Sequence, residues 1–291
     1  MARLLLLALA ACSAPRGAED PTDWYDVGSP YDPEEPVAFT TEPYGLPAAG
    51  APGIAALLYP LFPTPFGNVV AASAVPDGAP CGGWPTTASL PVEVTGVVTI
   101  LPQFYVKSSG CTGDEKFYTS YFIEDDSGGV MVLGNSRAAS FDAGDVVTLR
   151  VDSLQTSYDN RMIYGHEILD VQRVGRPIHY EVKQAPFEVG DIGRVKRVTG
   201  TVVQSPDGFG TFYLHPDGQA APCVPPATED EEPAGCAVLT LSTELNRRPI
   251  EIDVGERLVA TGPIAQSFGN KLIITRLGQI ERLDDTTSAE P

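Results

Sequence analysis

The chain has 291 residues, with 38 acidic against 19 basic side chains and a formal net charge of −19. That length suits one large or two small domains with linkers. The charge argues against a dense basic stripe of the kind that displaces counterions from a polyphosphate, so nucleic acid is not expected as a partner. Val195-Lys196-Arg197 and Asn246-Arg247-Arg248 are short and flanked by acids.

At the N-terminus, Arg3 precedes the apolar run Leu4–Ala11. One positive charge and a short apolar run predict a secretory signal over residues 1–11, too short to span a bilayer. Leu9-Ala10-Ala11-Cys12 resembles the bacterial lipobox. The resemblance implies cleavage before Cys12 and lipidation of its thiol. With Ser13 next rather than Asp, it also implies an outer-membrane location, on a face left open. An ordinary signal-peptidase site is the alternative. Acyl chains anchor firmly because each buried CH₂ contributes ~0.8 kcal/mol.

Four further cysteines remain, Cys81, Cys111, Cys223 and Cys236. An even number in an exported chain reads as two disulfides. Three pairings are open, and the local pairs Cys81–Cys111 and Cys223–Cys236 are favoured. Zinc is not expected, because there is no C-x-x-C and no paired His.

Residues 12–50 carry Pro15, Pro21, Pro30, Pro33, Pro36, Pro43 and Pro47 among acids. Such a segment buries too little surface to offset its ordering entropy, which predicts a disordered tether. Its aromatics Trp24, Tyr25, Tyr31 and Tyr44 are unusual for a passive spacer. Residues 51–89 are more apolar and predict a lead-in with one short helix near 53–59, broken by Pro60, Pro63 and Pro65.

The abundance of turn residues (Gly 29, Pro 27) without helical periodicity predicts an all-β fold. Val92–Ile100 is β-branched, with Gly96 where a curled strand bends. Tyr121–Leu133 reads as a hairpin around Asp125-Asp126-Ser127-Gly128-Gly129. A strand follows over Val146–Val151, then Arg161–Tyr164, then a short strand near Ile168–Val174. This makes a first domain over 90–175. Residues 176–194 read as a linker. A second domain over 195–283 repeats the order. Val198–Val203 echoes Val94–Val98, and Thr211–Gly218 echoes Ser120–Ser127. Ala237–Leu241 echoes Val130–Leu133, and Ser267–Ile274 echoes Ser157–Tyr164. Matched order predicts duplication. The insertion 219–235 and the polar tail 284–291 have no counterpart.

A Val-Thr-Gly-Val strand, an aromatic strand ending in Glu124-Asp125-Asp126-Ser127, and a Tyr158-x-Asn160 hairpin together resemble the OB-fold of exported bacterial proteins. That resemblance implies two tandem OB-like five-stranded barrels, with ligand faces on strands two and three. Strand alternation places Tyr121, Ile123, Phe212 and Leu214 inside. It leaves Tyr118, Phe122, Tyr213 and His215 outward, with Tyr105 nearby. These five, Tyr105 included, are the candidate ligand-binding residues. Burial against another part of the chain is the alternative.

No reaction is expected. His166, His179 and His215 lack ligand spacing, and the Glu124-Asp125-Asp126 carboxylates are explained by a turn. No metal or cofactor is expected either, because neither Asp20, Asp23 and Asp26 nor the Glu229–Glu232 run has EF-hand spacing. The sequence thus predicts a non-enzymatic binding or scaffold lipoprotein, presenting its barrels to an envelope protein or glycan. An accessory protein in extracellular nucleic-acid binding or processing is the alternative.

Overall fold

In the computed structural model, residues 34–58, 88–100, 108–109, 116–117, 120–133, 141–157, 160–184, 186–227, 233–246, 248–266 and 269–283 are described. The expectations for the signal, Cys12, Cys81, Cys111, Tyr105, Tyr118 and the tail lie outside them. So do those for Asp20, Asp23, Asp26 and Glu229–Glu232.

Before the first barrel come β1 (Phe39–Thr40) and a short helix, α1 (Ile54–Leu58). The next strands are β2 (Val92–Val98), β3 (Ser108–Ser109), β4 (Lys116–Phe117), β5 (Ser120–Asp125) and β6 (Gly128–Leu133). Then come β7 (Val146–Ser157), β8 (Asn160–Gln172), β9 (Ile178–His179) and β10 (Glu181–Val182). The second half contains β11 (Val195–Gln204), β12 (Thr211–Pro216) and β13 (Ala237–Leu241), with α2 (Thr243–Asn246) after β13. It ends with β14 (Arg257–Gln266), β15 (Asn270–Ile274) and β16 (Ile280–Arg282).

Five strands close the first barrel in the order β2-β5-β6-β8-β7. All neighbours are antiparallel except β6 and β8, which run parallel. Alternation decides the inside: Tyr121, Ile123, Val130, Val132 and Leu149 fill the core. Each large apolar chain buried there contributes roughly 1.5–3 kcal/mol. Gly96 lies against this packing, since a Cβ there would meet Ile54 Cδ1 at 3.0 Å and the Glu124 carbonyl at 3.2 Å.

The second sheet has the same cyclic order. β11 pairs antiparallel with β12 and β14, β12 with β13, and β14 with β15, while β13 and β15 run parallel. The β11–β14 ladder closes the ring, and β10 and β16 extend it at the edges. Phe212, Leu214, Leu239, Leu258 and Leu272 form its core. The architecture is therefore all-β, with two OB-like barrels.

Three stretches differ from the sequence expectation. The strands expected at Arg161–Tyr164 and Ile168–Val174 are one strand, β8. Its register against β7 shifts around Val151–Leu154, where Ser153 Oγ accepts from Gly165 N at 2.9 Å. Residues 34–50, expected as part of a disordered tether, pack on the barrels. β1 pairs in parallel with β9, and Tyr44 is buried. The expected linker, 176–194, supplies β9 and β10, and β10 pairs with β11.

Candidate functional site

The outer surface of strands two and three is where an OB barrel holds its ligand. In the first barrel that surface is occupied. Phe122, 1% exposed, packs with Met131 and Leu133 of β6, with Ile100 and Met162, and with Ala265 and Ile273 of the second barrel. Alternation does turn Phe122 out of its own core, but the face it presents is the seam between the barrels.

Backbone fits backbone beside this seam. A Cβ on Gly129 would lie 2.0 Å from the Gly193 carbonyl oxygen, and one on Gly193 would lie 2.1 Å from that of Gly129. Arg276, itself buried, reaches from the second barrel to Asp142 at 2.9 Å and to Glu35 at 2.7 Å.

The hairpin turn that follows β5 has a role the sequence did not disclose. It receives the segment 44–55. Asp126 accepts from the backbone N–H groups of Tyr44 (2.7 Å), Gly45 (2.8 Å) and Leu46 (3.2 Å). Asp125 accepts from Ile54 N at 2.8 Å, and Ser127 Oγ from Ala55 N at 3.0 Å. Ile54 and Leu57 are thereby set into the first core.

Glu124 lies where three parts of the chain meet. Its carboxyl is 1% exposed. The Tyr44 hydroxyl donates to it at 3.3 Å and Val195 N at 3.4 Å, while the Tyr44 oxygen accepts from His179 N at 2.9 Å. Burial pushes the Glu124 carboxyl up to about 8, against the opposing pull of Arg194. Burial, then the neighbouring Glu124, pushes the Tyr44 phenol upward as well.

In the second barrel the face of strands two and three lies under a loop. Tyr213, 9% exposed, packs with Val238, Val203 and the Cys223–Cys236 disulfide. His215 is tied to the same loop, its Nε2 lying 3.1 Å from the Ala221 carbonyl. The local pair Cys223–Cys236 is thus formed.

Among the described residues, the turn between β11 and β12 carries an exposed ring. There Phe209 is 83% exposed. Asp207 holds the turn, its Oδ1 accepting from Phe209 N and Thr211 N, each at 2.8 Å. Gly210 supplies φ +79. Asn246 of α2 donates to the Gly208 carbonyl at 3.1 Å. The ring is therefore presented on a fixed turn. Lys271 of β15 is half-buried, and burial pushes its ammonium down while Asp207 pushes it up. Asp207 also raises the phenol of Tyr213, after burial. Phe209 had a signal in the sequence: an aromatic between two glycines in Pro206-Asp207-Gly208-Phe209-Gly210 has no strand to bury it.

Glu124, Asp125, Asp126, His179 and His215 are engaged in structure, whereas His166 Nδ1 is buried with no hydrogen-bond partner among the described residues. His179 Nδ1 lies 3.2 Å from the Glu42 carbonyl. Among the described residues no group of three or more His, Cys, Asp or Glu side chains is placed to hold a metal. No described helix is long and apolar enough to cross a membrane.

The strand pairing is that of an OB-like fold. No family model matches the chain, and no curated protein does. Solved structures similar to it include the Ifi202 HINa domain in complex with 20bp dsDNA. That likeness is 12% identical with a TM-score of 0.30, over 66% of this chain and 96% of that one. The single-stranded DNA binding protein from Thermus aquaticus is 11% identical with a TM-score of 0.23, over 68% and 95%. Fission yeast Pot1 with ssDNA is 12% identical with a TM-score of 0.29, over 69% and 84%. Their descriptions name DNA, the class of partner that the expectation from charge had set aside. That expectation rested on the charge of the whole chain, and −19 summed over 291 residues does not fix the character of one barrel end.

Proposed function

We propose that this chain is an exported accessory protein that binds single-stranded nucleic acid at the β11–β12 turn of its second barrel and catalyses no reaction. The observation that carries the reading is Phe209, a fully presented ring on a braced turn at the end of an OB-like barrel. Every base has a π-face, and stacking on an aromatic contributes about 1–3 kcal/mol per base whatever the sequence. Lys271 of β15, close enough to Asp207 for their charges to interact, supplies a cation near the same turn. An acidic protein with so few cations at its site gains affinity from stacking more than from counterion release.

Lipidation at Cys12 belongs to the same proposal and would hold the barrels at the outer membrane. So does origin by duplication. The shared strand order supports it, as do Gly96 and Gly200, which both sit in the first strand against the backbone of the second.

The test is fluorescence anisotropy of a labelled deoxythymidine oligomer with the full chain and its Phe209→Ala variant. A loss of about tenfold or more in affinity is expected, the share of one stacked base. Equal affinity in the two proteins would sink the reading.

A further inference from the structure

We propose that the nucleic-acid site is short, taking the end of a strand or a few unstacked nucleotides rather than a strand laid along the barrel. The inference rests on the function proposed above and concerns the form of ligand that fits.

An OB barrel ordinarily runs its ligand across strands two and three, covering ~4–16 nucleotides. Both such paths are closed here. On the first barrel, Phe122 and Met131 lie beneath Ala265 and Ile273 of the second. On the second barrel, Tyr213 and Val238 lie beneath the loop closed by Cys223–Cys236.

This loop is held as a built element. Val224 and Ala234 exchange both backbone hydrogen bonds, at 2.9 and 3.1 Å. Gln219 Nε2 donates to the Gly235 carbonyl at 2.6 Å and to that of Ala221 at 3.3 Å. Gly235 lies so close to Pro222 that a Cβ would come within 2.7 Å of its carbonyl oxygen. The covalent closure keeps a ligand from displacing the loop as it would a free strand. A strand arriving at Phe209 therefore finds one ring to stack on and no continuous track beyond it among the described residues.

The experiment is a length series. Deoxythymidine oligomers from two to twenty nucleotides compete against a labelled oligomer for the full chain. Affinity should stop rising by about four nucleotides, the low end of an OB footprint, apart from the proportional gain from more registers per strand. A variant with residues 220–235 replaced by Gly-Ser-Gly uncovers Tyr213 and should gain about tenfold or more between four and twelve nucleotides. If the replaced chain does not fold, the Cys223→Ala/Cys236→Ala chain is used, with a smaller gain in the same direction expected because the Val224–Ala234 hydrogen bonds remain. A wild-type affinity that keeps climbing tenfold over that range would overturn the short site. A folded, uncovered variant with no gain would overturn the role of the loop. No binding at any length would overturn the nucleic-acid reading, and the short site with it.

Discussion

Glu124 is a carboxyl held out of water at the meeting point of the N-terminal segment and both barrels, and its protonation is tied to folding. Its carboxyl is raised from 4.5 to about 8 in the folded chain. Between those values the folded state keeps a proton that the unfolded state has released. The stabilisation is thus fully present below pH 4.5 and is lost as pH rises through 8. Glu124→Gln retains the shape without the titration, so its urea midpoint should vary less with pH over that window. An unchanged slope in the variant would show that another group carries the dependence. At this scale alternation in the sequence placed Tyr121, Ile123, Phe212 and Leu214 inside and turned Phe122 and Tyr213 outward. It could not tell outward from exposed. The second barrel covers Phe122 and a disulfide loop covers Tyr213, and both covers come from distant sequence.

The segment 34–58 shows where the reading of elements succeeds and fails. The helix expected near 53–59 is present as α1, whereas the prolines and acids of 34–50 predict disorder because that expectation weighs apolar burial. Docking here relies instead on carboxylates accepting from backbone N–H groups, which leaves no periodic trace. Asp126→Ala removes the acceptor for three amides, of which only the Tyr44 N–H bond is part-buried, so the loss costs about 1 kcal/mol. Amide exchange at Tyr44, Gly45 and Leu46 should therefore speed up strongly in the variant, while β11–β15 stay protected. Exchange unchanged at those three residues would contradict the docking role. The strands were legible for the opposite reason, since their β-branched runs and period of two are present in each barrel. The fusion of two expected strands into β8 was hidden because Gly165, set against Ser153 at the register shift, reads locally as a break.

Over the whole molecule, two barrels of the same strand order do not present equivalent surfaces. One has given its strand two and three face to its neighbour. The other has covered that face with the loop between β12 and β13. The shared strand order and the long β12–β13 connection were both visible in the sequence. The consequence of putting them together was not, because it depends on which faces meet. Among the described residues, the β11–β12 turn presents a braced, exposed aromatic, and the proposed function stands on that turn. The most direct measurement is photocrosslinking of a 4-thiothymidine-labelled single strand to the full chain, followed by mass-spectrometric mapping of the adduct. The predicted adduct falls on Phe209 or within Asp207–Thr211. An adduct confined to the first barrel, or none at saturating oligomer, would contradict it.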